Sequence, residues 1–267
     1  MFIPKPIYDM LNSSNLILQY QNVSCLRTKT SEIYLQSLLA ECDIIVLTET
    51  WLKAGIYDAE LFHSSYNVFR KDRNYELMGL ERGGGVLLAS KGNLEVKQEI
   101  ILGIDDTDCD YICVQVKIPG SMRKMLIAVF YFTPNTTTST YAHVCDMLTI
   151  HISQIQELVD ILILGDFNIP SFTRVLTGQN NCDNNCDKAN TLYDFMHVND
   201  LTSHNTIANK FGKTLDLILS STSKTDVQRT ESLTRVEDPY HSTLQITVQI
   251  CKPQLINKHT QSQPITP

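Results

Sequence analysis

At five places along the chain, a side chain carrying oxygen or nitrogen stands in or beside an apolar, strand-like run. Asn22 follows Leu16–Tyr20, and Glu49 follows Ile44–Thr48. Asp166 and Asn168 follow Ile161–Leu164 in the segment Gly165-Asp166-Phe167-Asn168. Asp216 lies inside Thr214–Leu219, where a carboxylate is costly without a partner. His241 comes after Asp238-Pro239-Tyr240 and just before Thr243–Ile250. These residue types suit phosphodiester hydrolysis. A hard cation that neutralises phosphate charge takes oxygen ligands. A base must orient or deprotonate the attacking water, and a donor such as histidine must stabilise the charge that builds on phosphorus oxygens. Taken singly, each residue has an ordinary structural reading: a turn former, a solvated loop carboxylate, a cap at a strand exit, a buried ion-pair partner, a core histidine. The set is far more specific than its members.

The elements that must deliver these side chains are short. Leu16–Tyr20, Asp43–Thr48, Tyr66–Arg70, Val86–Ala89, Leu94–Ile100, Tyr111–Ile118, Lys124–Tyr131, Val159–Leu164, Thr214–Leu219 and Thr243–Ile250 read as strands, with Pro119-Gly120 as a turn. Helical spacing marks Glu32–Glu41, with Ile33, Leu35, Leu38 and Leu39 apolar and Ser31 as N-cap. It also marks Thr140–Leu158, through Val144, Leu148, Ile152, Ile155 and Leu158, and then Thr191–His197. Strand ends give polar side chains a rigid base, while the loops beyond shape the groove.

The chain of 267 residues is long enough for one large core, and its 43% hydrophobic and 19% charged composition is ordinarily globular. A net charge of −7 argues against a broad basic surface for nonspecific nucleic-acid binding. It does not argue against chemistry on nucleic acid, because a carboxylate-rich site adds negative charge that bound cations offset. Of the 8 cysteines, Cys25, Cys42, Cys109, Cys113, Cys145 and Cys251 lie in or beside apolar runs, as small hydrophobes of a reducing compartment do. Cys182 and Cys186 lack a second pair at zinc-site spacing and read as two thiols of a polar loop. No stretch approaches the roughly 20 apolar residues of a bilayer span. The expected organisation is a lead over 1–14, one domain over 15–251 and a poorly ordered tail over 252–267.

Seven segments, in order, carry a resemblance. They are Gln21-Asn22-Val23, Thr48-Glu49-Thr50-Trp51, Arg82-Gly83-Gly84-Gly85-Val86, Tyr131-Phe132-Thr133-Pro134-Asn135, Gly165-Asp166-Phe167-Asn168, Leu215-Asp216-Leu217-Ile218 and Tyr240-His241. Together they resemble the signature series of the endonuclease/exonuclease/phosphatase superfamily. Their wording is most similar to the apurinic-endonuclease-like domain of non-LTR retrotransposons, over residues 15–250. The resemblance implies an α+β fold, a four-layered α/β/β/α sandwich of two mostly antiparallel sheets flanked by helices, with the site at one end. It implies Glu49 as main ligand of Mg2+, or Mn2+ in its place, with Asn22 nearby. Asp166 would orient or deprotonate the water, Asn168 would help hold the phosphate, and Tyr131 would contact the phosphate or leaving group. His241 would bind the scissile phosphate oxygen, oriented by Asp216. No organic cofactor is implied.

The sequence also departs from that series. The superfamily usually carries Ser-Asp-His before the final strand, whereas Tyr240 holds the acid's position here, with Asp238 two residues earlier as a substitute acid. Ser24 stands where some members carry an acidic residue. Arg82-Gly83-Gly84-Gly85 is followed by a strand rather than a helix, so it reads as close backbone packing and not as a phosphate-cradling loop. Trp51 fits two readings, stacking on a base or sugar and ordering the Glu49 loop.

The implied activity is a Mg2+-dependent endonuclease that nicks DNA to leave a 3′-hydroxyl, as in target-primed reverse transcription. The alternatives are a small-molecule or lipid phosphoesterase of the same superfamily, and a retrotransposon-derived relic that only binds. The expected partner is DNA, with no membrane. The isolated domain is expected to be a monomer in the nucleus or cytoplasm, standing alone or inside a longer polyprotein with a reverse transcriptase. Target preference would lie in the loops Lys71–Arg82, Gly178–Lys188 and Thr202–Lys213, where Lys210, Lys213 and Arg235 are phosphate-contact candidates with ordinary solvated surface as their other reading.

Overall fold

Strand β2 (Ile44–Thr48) is apolar on both faces, and that dictates layers. Side chains alternate across a strand. Ile44 and Val46 therefore point one way and Ile45 and Leu47 the other, yet all are fully buried. A strand covered on both sides must lie inside a stack. The computed structural model, which describes residues 13–105, 107–118, 123–155, 159–178 and 187–251, has that arrangement.

Two six-stranded sheets face each other. The first orders its strands β11 (Thr225–Arg229), β12 (Leu244–Cys251), β1 (Ser13–Asn22), β2, β4 (Val86–Lys91) and β3 (Tyr66–Lys71). The second runs β5 (Glu95–Glu99), β6 (Asp110–Lys117), β7 (Lys124–Tyr131), β8 (Val159–Asp166), β10 (Asp216–Ser220) and β9 (Thr202–Ser203). Pairing is antiparallel except for β1 with β2 and β7 with β8.

Between the sheets, Leu18, Ile44 and Val46 meet Val129, Leu164 and Ile218. On the outer face of the first sheet, Ile45 and Leu47 pack with Leu26, Leu52, Phe62 and Ile33 of helix α1 (Thr30–Leu39). On the outer face of the second, Leu126, Ala128 and Phe130 pack under α3 (Thr138–Ser153) and α5 (Asp187–Val198), through Tyr141, Val144, Leu148, Leu192 and Phe195. The short helices α2 (Tyr75–Met78) and α4 (Phe172–Leu176) lie in connections. This is the four-layered α/β/β/α sandwich expected, an α+β fold.

Some elements differ from their sequence reading. Helix α1 begins at Thr30 with Lys29 as N-cap, so Ser31 sits in its first turn. Leu35, Leu38 and Leu39 are exposed, and only Ile33 and Ser37 are buried, because the helix touches the sheet along a narrow stripe. Strands β9 and β11 were not expected: Thr202–Ser203 and Thr225–Arg229 are too short or too polar to carry a periodic signal, and partner strands define them. The segment Lys71–Arg82 is not all loop, since its middle forms α2. Cys42, Cys109, Cys113 and Cys145 are buried and Cys25 is half-buried. Cys182, Cys186, the Pro119-Gly120 turn, Leu158, residues 1–12 and the tail over 252–267 lie outside the described residues. No helix among the described residues is long and apolar enough to cross a membrane.

Strand register sets up the site. Asp166 ends β8 and is paired with Tyr131 at the end of β7 on one side and with Asp216 at the start of β10 on the other. The three residues thus form one row across the second sheet. On the first sheet Asn22 pairs with Thr48, so the chain after β2 leaves beside it.

Candidate active site

The row and the two strand ends converge at one end of the sandwich. Asp166 is 1% exposed. Its Oδ1 accepts the backbone N–H of Asn168 at 3.1 Å, and its Oδ2 accepts Asn22 Nδ2 at 3.1 Å across the two sheets. His241 Nε2 lies 3.6 Å from the same Oδ2. The other ring nitrogen, Nδ1, donates to Asp216 at 2.9 Å, and Tyr20 Oη donates to Asp216 Oδ1 at 2.6 Å. The Asp216 carboxylate therefore has the partners that its burial requires, one of them a tyrosine from the first sheet. Asn168 Nδ2 donates to the Phe132 carbonyl at 2.8 Å, which fixes the turn after Asp166.

Glu49 stands at the exit of β2, beyond the tight cluster. Its Oε1 accepts the Tyr131 hydroxyl at 2.5 Å and its Oε2 accepts the Trp51 indole N–H at 2.7 Å. Of the two readings of Trp51, ordering of the Glu49 loop is the one that this contact fits. Backbone bonds hold the loop from both flanks. Cys25 N–H bonds to the Glu49 carbonyl at 2.9 Å, while Thr50 and Trp51 donate to the carbonyls of Gly85 and Gly84. Glu49 (φ 54°), Trp51 (φ 54°) and Asn168 (φ 50°) adopt left-handed backbone, uncommon for such residues and concentrated here, as strain at functional sites is.

Charge is heavily weighted to the negative. Burial, and the nearby Asp216 and Glu49 charges, push the Asp166 carboxyl well above its ordinary range against the pull of His241. Burial pulls the His241 imidazole down, but the Asp216 charge and hydrogen bond, with Asp166 and Asp238, raise it to about 10. Burial and the adjacent Glu49 lift the Tyr131 phenol far above its usual value, so it remains a hydrogen-bond donor. Among the described residues, Asp166, Asp216 and His241 form a group whose ligand atoms lie within 4.8 Å of one another. Carboxylates crowded at low exposure with a single imidazole for compensation make a hard, oxygen-rich donor set that fits a divalent cation.

Asp238 stands apart from that group. Its Oδ1 accepts the Tyr240 N–H at 2.8 Å and its carbonyl accepts the His241 N–H at 3.1 Å, so it shapes the turn, and its carboxylate acts on the His241 imidazole only by charge. Tyr240 turns outward, 53% exposed, and stacks on Phe211 with ring centres 4.6 Å apart. A cavity of about 540 Å3 opens beside Asn168, lined by Pro170, Lys188, Phe211, Lys213 and Tyr240 among others. Lys210 and Arg235 are exposed.

Three participants were not legible beforehand. Tyr20 lies inside an apolar run and carries no outward signal. Arg73 and Asp110 form a buried ion pair at 2.5 Å, from a loop and a strand start far apart in sequence. The Arg73 guanidinium also lies over the Tyr131 ring, 5.2 Å from its centre. The signal that points to it is the glycine triplet, where a Cβ at Gly84 would run into that guanidinium.

Residues 20–239 match the model of the Endonuclease/Exonuclease/phosphatase family, so the chain belongs to that family. The fold is shared with the endonuclease domain of TRAS1, a telomere-specific non-LTR retrotransposon, at a TM-score of 0.63 and 12% identity, over 88% of this chain and 98% of that one. An AP endonuclease from Leishmania major superimposes with a TM-score of 0.65 and 12% identity over 93% and 92%. The human Nocturnin catalytic domain, with bound sulfate anion, gives 0.62 and 16% over 89% and 93%. No curated protein sequence matches the chain significantly.

Proposed function

We propose that this chain is a divalent-cation-dependent endonuclease that nicks DNA to leave a 3′-hydroxyl. The observation that carries the reading is the meeting of Asp166, Asp216 and His241, with Glu49 and Tyr131 beside them, at one end of the sandwich. Glu49 and the Asp166 side of the cluster, with Asn22, would hold Mg2+ or Mn2+. The ion, when bound, supplies charge neutralisation of the phosphate and of the leaving oxygen.

Asp166, whose raised affinity for protons comes from burial and its carboxylate neighbours, takes a proton from the attacking water. His241, charged and locked by Asp216, presents Nε2–H to a non-bridging phosphate oxygen and stabilises the pentavalent state. Asn168 holds the phosphate. A bond forms between the water oxygen and phosphorus while the bond from phosphorus to the 3′ oxygen breaks. The 3′ oxygen leaves beside the Tyr131 ring and takes a proton from solvent water to give the 3′-hydroxyl, while the proton of the attacking water rests on Asp166. Lys188 and Lys213 around the adjoining cavity offer positive charge to the flanking backbone, which supports a nucleic-acid substrate despite the acidic whole. The occurrence of endonucleases among proteins of the same fold also supports it.

The net charge of −7 favours a second reading, a small phosphoester as substrate. Supercoiled plasmid incubated with purified protein and Mg2+ or Mn2+ separates the two. Conversion to open circles with 3′-hydroxyl ends, absent with Asp166→Ala or His241→Ala protein whose circular dichroism shows it folded, is the expected result. Unchanged plasmid across metals and salt refutes the nuclease reading, and turnover of inositol phosphates in its place supports the second.

A further inference from the structure

The glycine triplet Gly83-Gly84-Gly85 and the buried Arg73 have no part in the chemistry above, yet both lead to Glu49. Arg73 and Asp110 are 7% and 1% exposed. A buried ion pair is a poor way to gain stability, because desolvation offsets its attraction, so its retention asks for another reason. Asp110 is the cross-strand partner of Tyr131, and its Oδ2 accepts both the Arg73 guanidinium at 2.5 Å and the Gly85 N–H at 2.9 Å. The guanidinium itself covers the Tyr131 ring. Gly84 has no Cβ because that space belongs to the guanidinium.

From this one ion pair, two supports run to the same carboxylate. Through the ring, Tyr131 is set to donate to Glu49 Oε1. Through the backbone, the Gly84 and Gly85 carbonyls take the N–H groups of Trp51 and Thr50, and the Trp51 indole donates to Glu49 Oε2. The structure assigns Arg73 as a positioning residue for Glu49, acting through Tyr131 and through the glycine-triplet backbone. In this assignment Arg73 acts through its neighbours Asp110 and Tyr131 and the glycine backbone. Its planar fork, which bonds Asp110 while its centre sits 5.2 Å from the middle of the Tyr131 ring, is what lysine cannot reproduce.

The role of Glu49 as a cation ligand rests on the proposed function; the positioning itself does not, and a spectroscopic reporter separates the two. The chain has 1 tryptophan, Trp51, whose indole is bonded to Glu49. Arg73→Lys and the paired change Arg73→Met with Asp110→Asn, which leaves no unpaired buried charge, are the variants. Circular dichroism and thermal unfolding first establish that each folds. The expected result for folded variants is a shifted Trp51 emission maximum and easier acrylamide quenching. Calorimetric Mn2+ affinity and the Mg2+ concentration for half-maximal nicking should both weaken about 10-fold or more, as loss of a group that orients a ligand does. Combining the paired change with Tyr131→Phe should weaken Mn2+ binding by less than the product of the separate effects. A folded Arg73→Lys or paired variant with wild-type Trp51 emission, quenching and Mn2+ affinity overturns the assignment. If the wild type binds no Mn2+ and nicks nothing while Trp51 responds to the variants, the metal-nuclease reading fails and the positioning role stands.

Discussion

Tyr20→Phe removes a single buried oxygen beside the cluster and tests whether the Asp216–His241 pair is organised by the opposite sheet. The hydroxyl donates to Asp216 Oδ1 at 2.6 Å and is bonded to Thr48 Oγ1 at 3.0 Å. The side chain is fully buried, so no bulk water replaces the lost donor. Hydrogen bonds to charged groups contribute about 1.5–3 kcal/mol. The unfolding equilibrium should therefore shift by about 10- to 140-fold, at about 1.4 kcal/mol for each factor of ten. Urea titration followed by far-UV dichroism reads this as a lower midpoint at unchanged slope. In an Asp216→Asn background the charge is gone, and the same substitution should cost only the roughly 0.5–1.5 kcal/mol of a neutral bond. A loss below about 0.5 kcal/mol in the wild-type background, or an equal loss in both, refutes a charge-assisted bond between the sheets.

Gly165→Ala should be severely destabilising, since its Cβ would strike the Phe130 backbone and the residue has φ 142°. A melting temperature lowered by less than about 3 °C, the equivalent of roughly 1 kcal/mol, would contradict this. In metal-free protein the His241 imidazole should titrate near pH 10, raised by Asp216 against burial. Because the folded value lies above the roughly 6.5 of an unfolded chain, its stabilisation is complete below that pH and is lost as pH rises towards 10. An imidazole NMR resonance with a midpoint near 6.5 refutes the ion pair. Burial pushes the thiols of Cys42 to about 11 and of Cys113 and Cys145 to about 12, and raises Cys109 as well. Brief iodoacetamide treatment at pH 8 with peptide mapping should label half-buried Cys25 well ahead of these four, and labelling of Cys109 at the same rate would refute the packing.

Strands that read as apolar runs, such as Ile161–Leu164, were legible because burial on both faces leaves no room for polar residues. Glu49, Asp166, Asp216 and His241 were legible because a charged residue at such a run is conspicuous. In helix α1, spacing marks Leu35, Leu38 and Leu39 as apolar positions but does not tell whether a sheet lies beneath them, and in the structure they are exposed. The resemblance offers Asp238 as a substitute acid, but its place in the sequence does not tell where its carboxylate points. In the structure it bonds the Tyr240 N–H.

By itself the sequence determined the kinds of side chain available and the strand ends that carry them, because those are properties of residue type and local period. Only the tertiary structure decided which atoms meet. Register brings Tyr131, Asp166 and Asp216 into one row, and the stacking of two sheets brings Asn22 and Tyr20 to them. The Arg73–Asp110 pair depends on a loop and a strand 37 residues apart meeting in the glycine cradle, which neither local propensity nor spacing encodes.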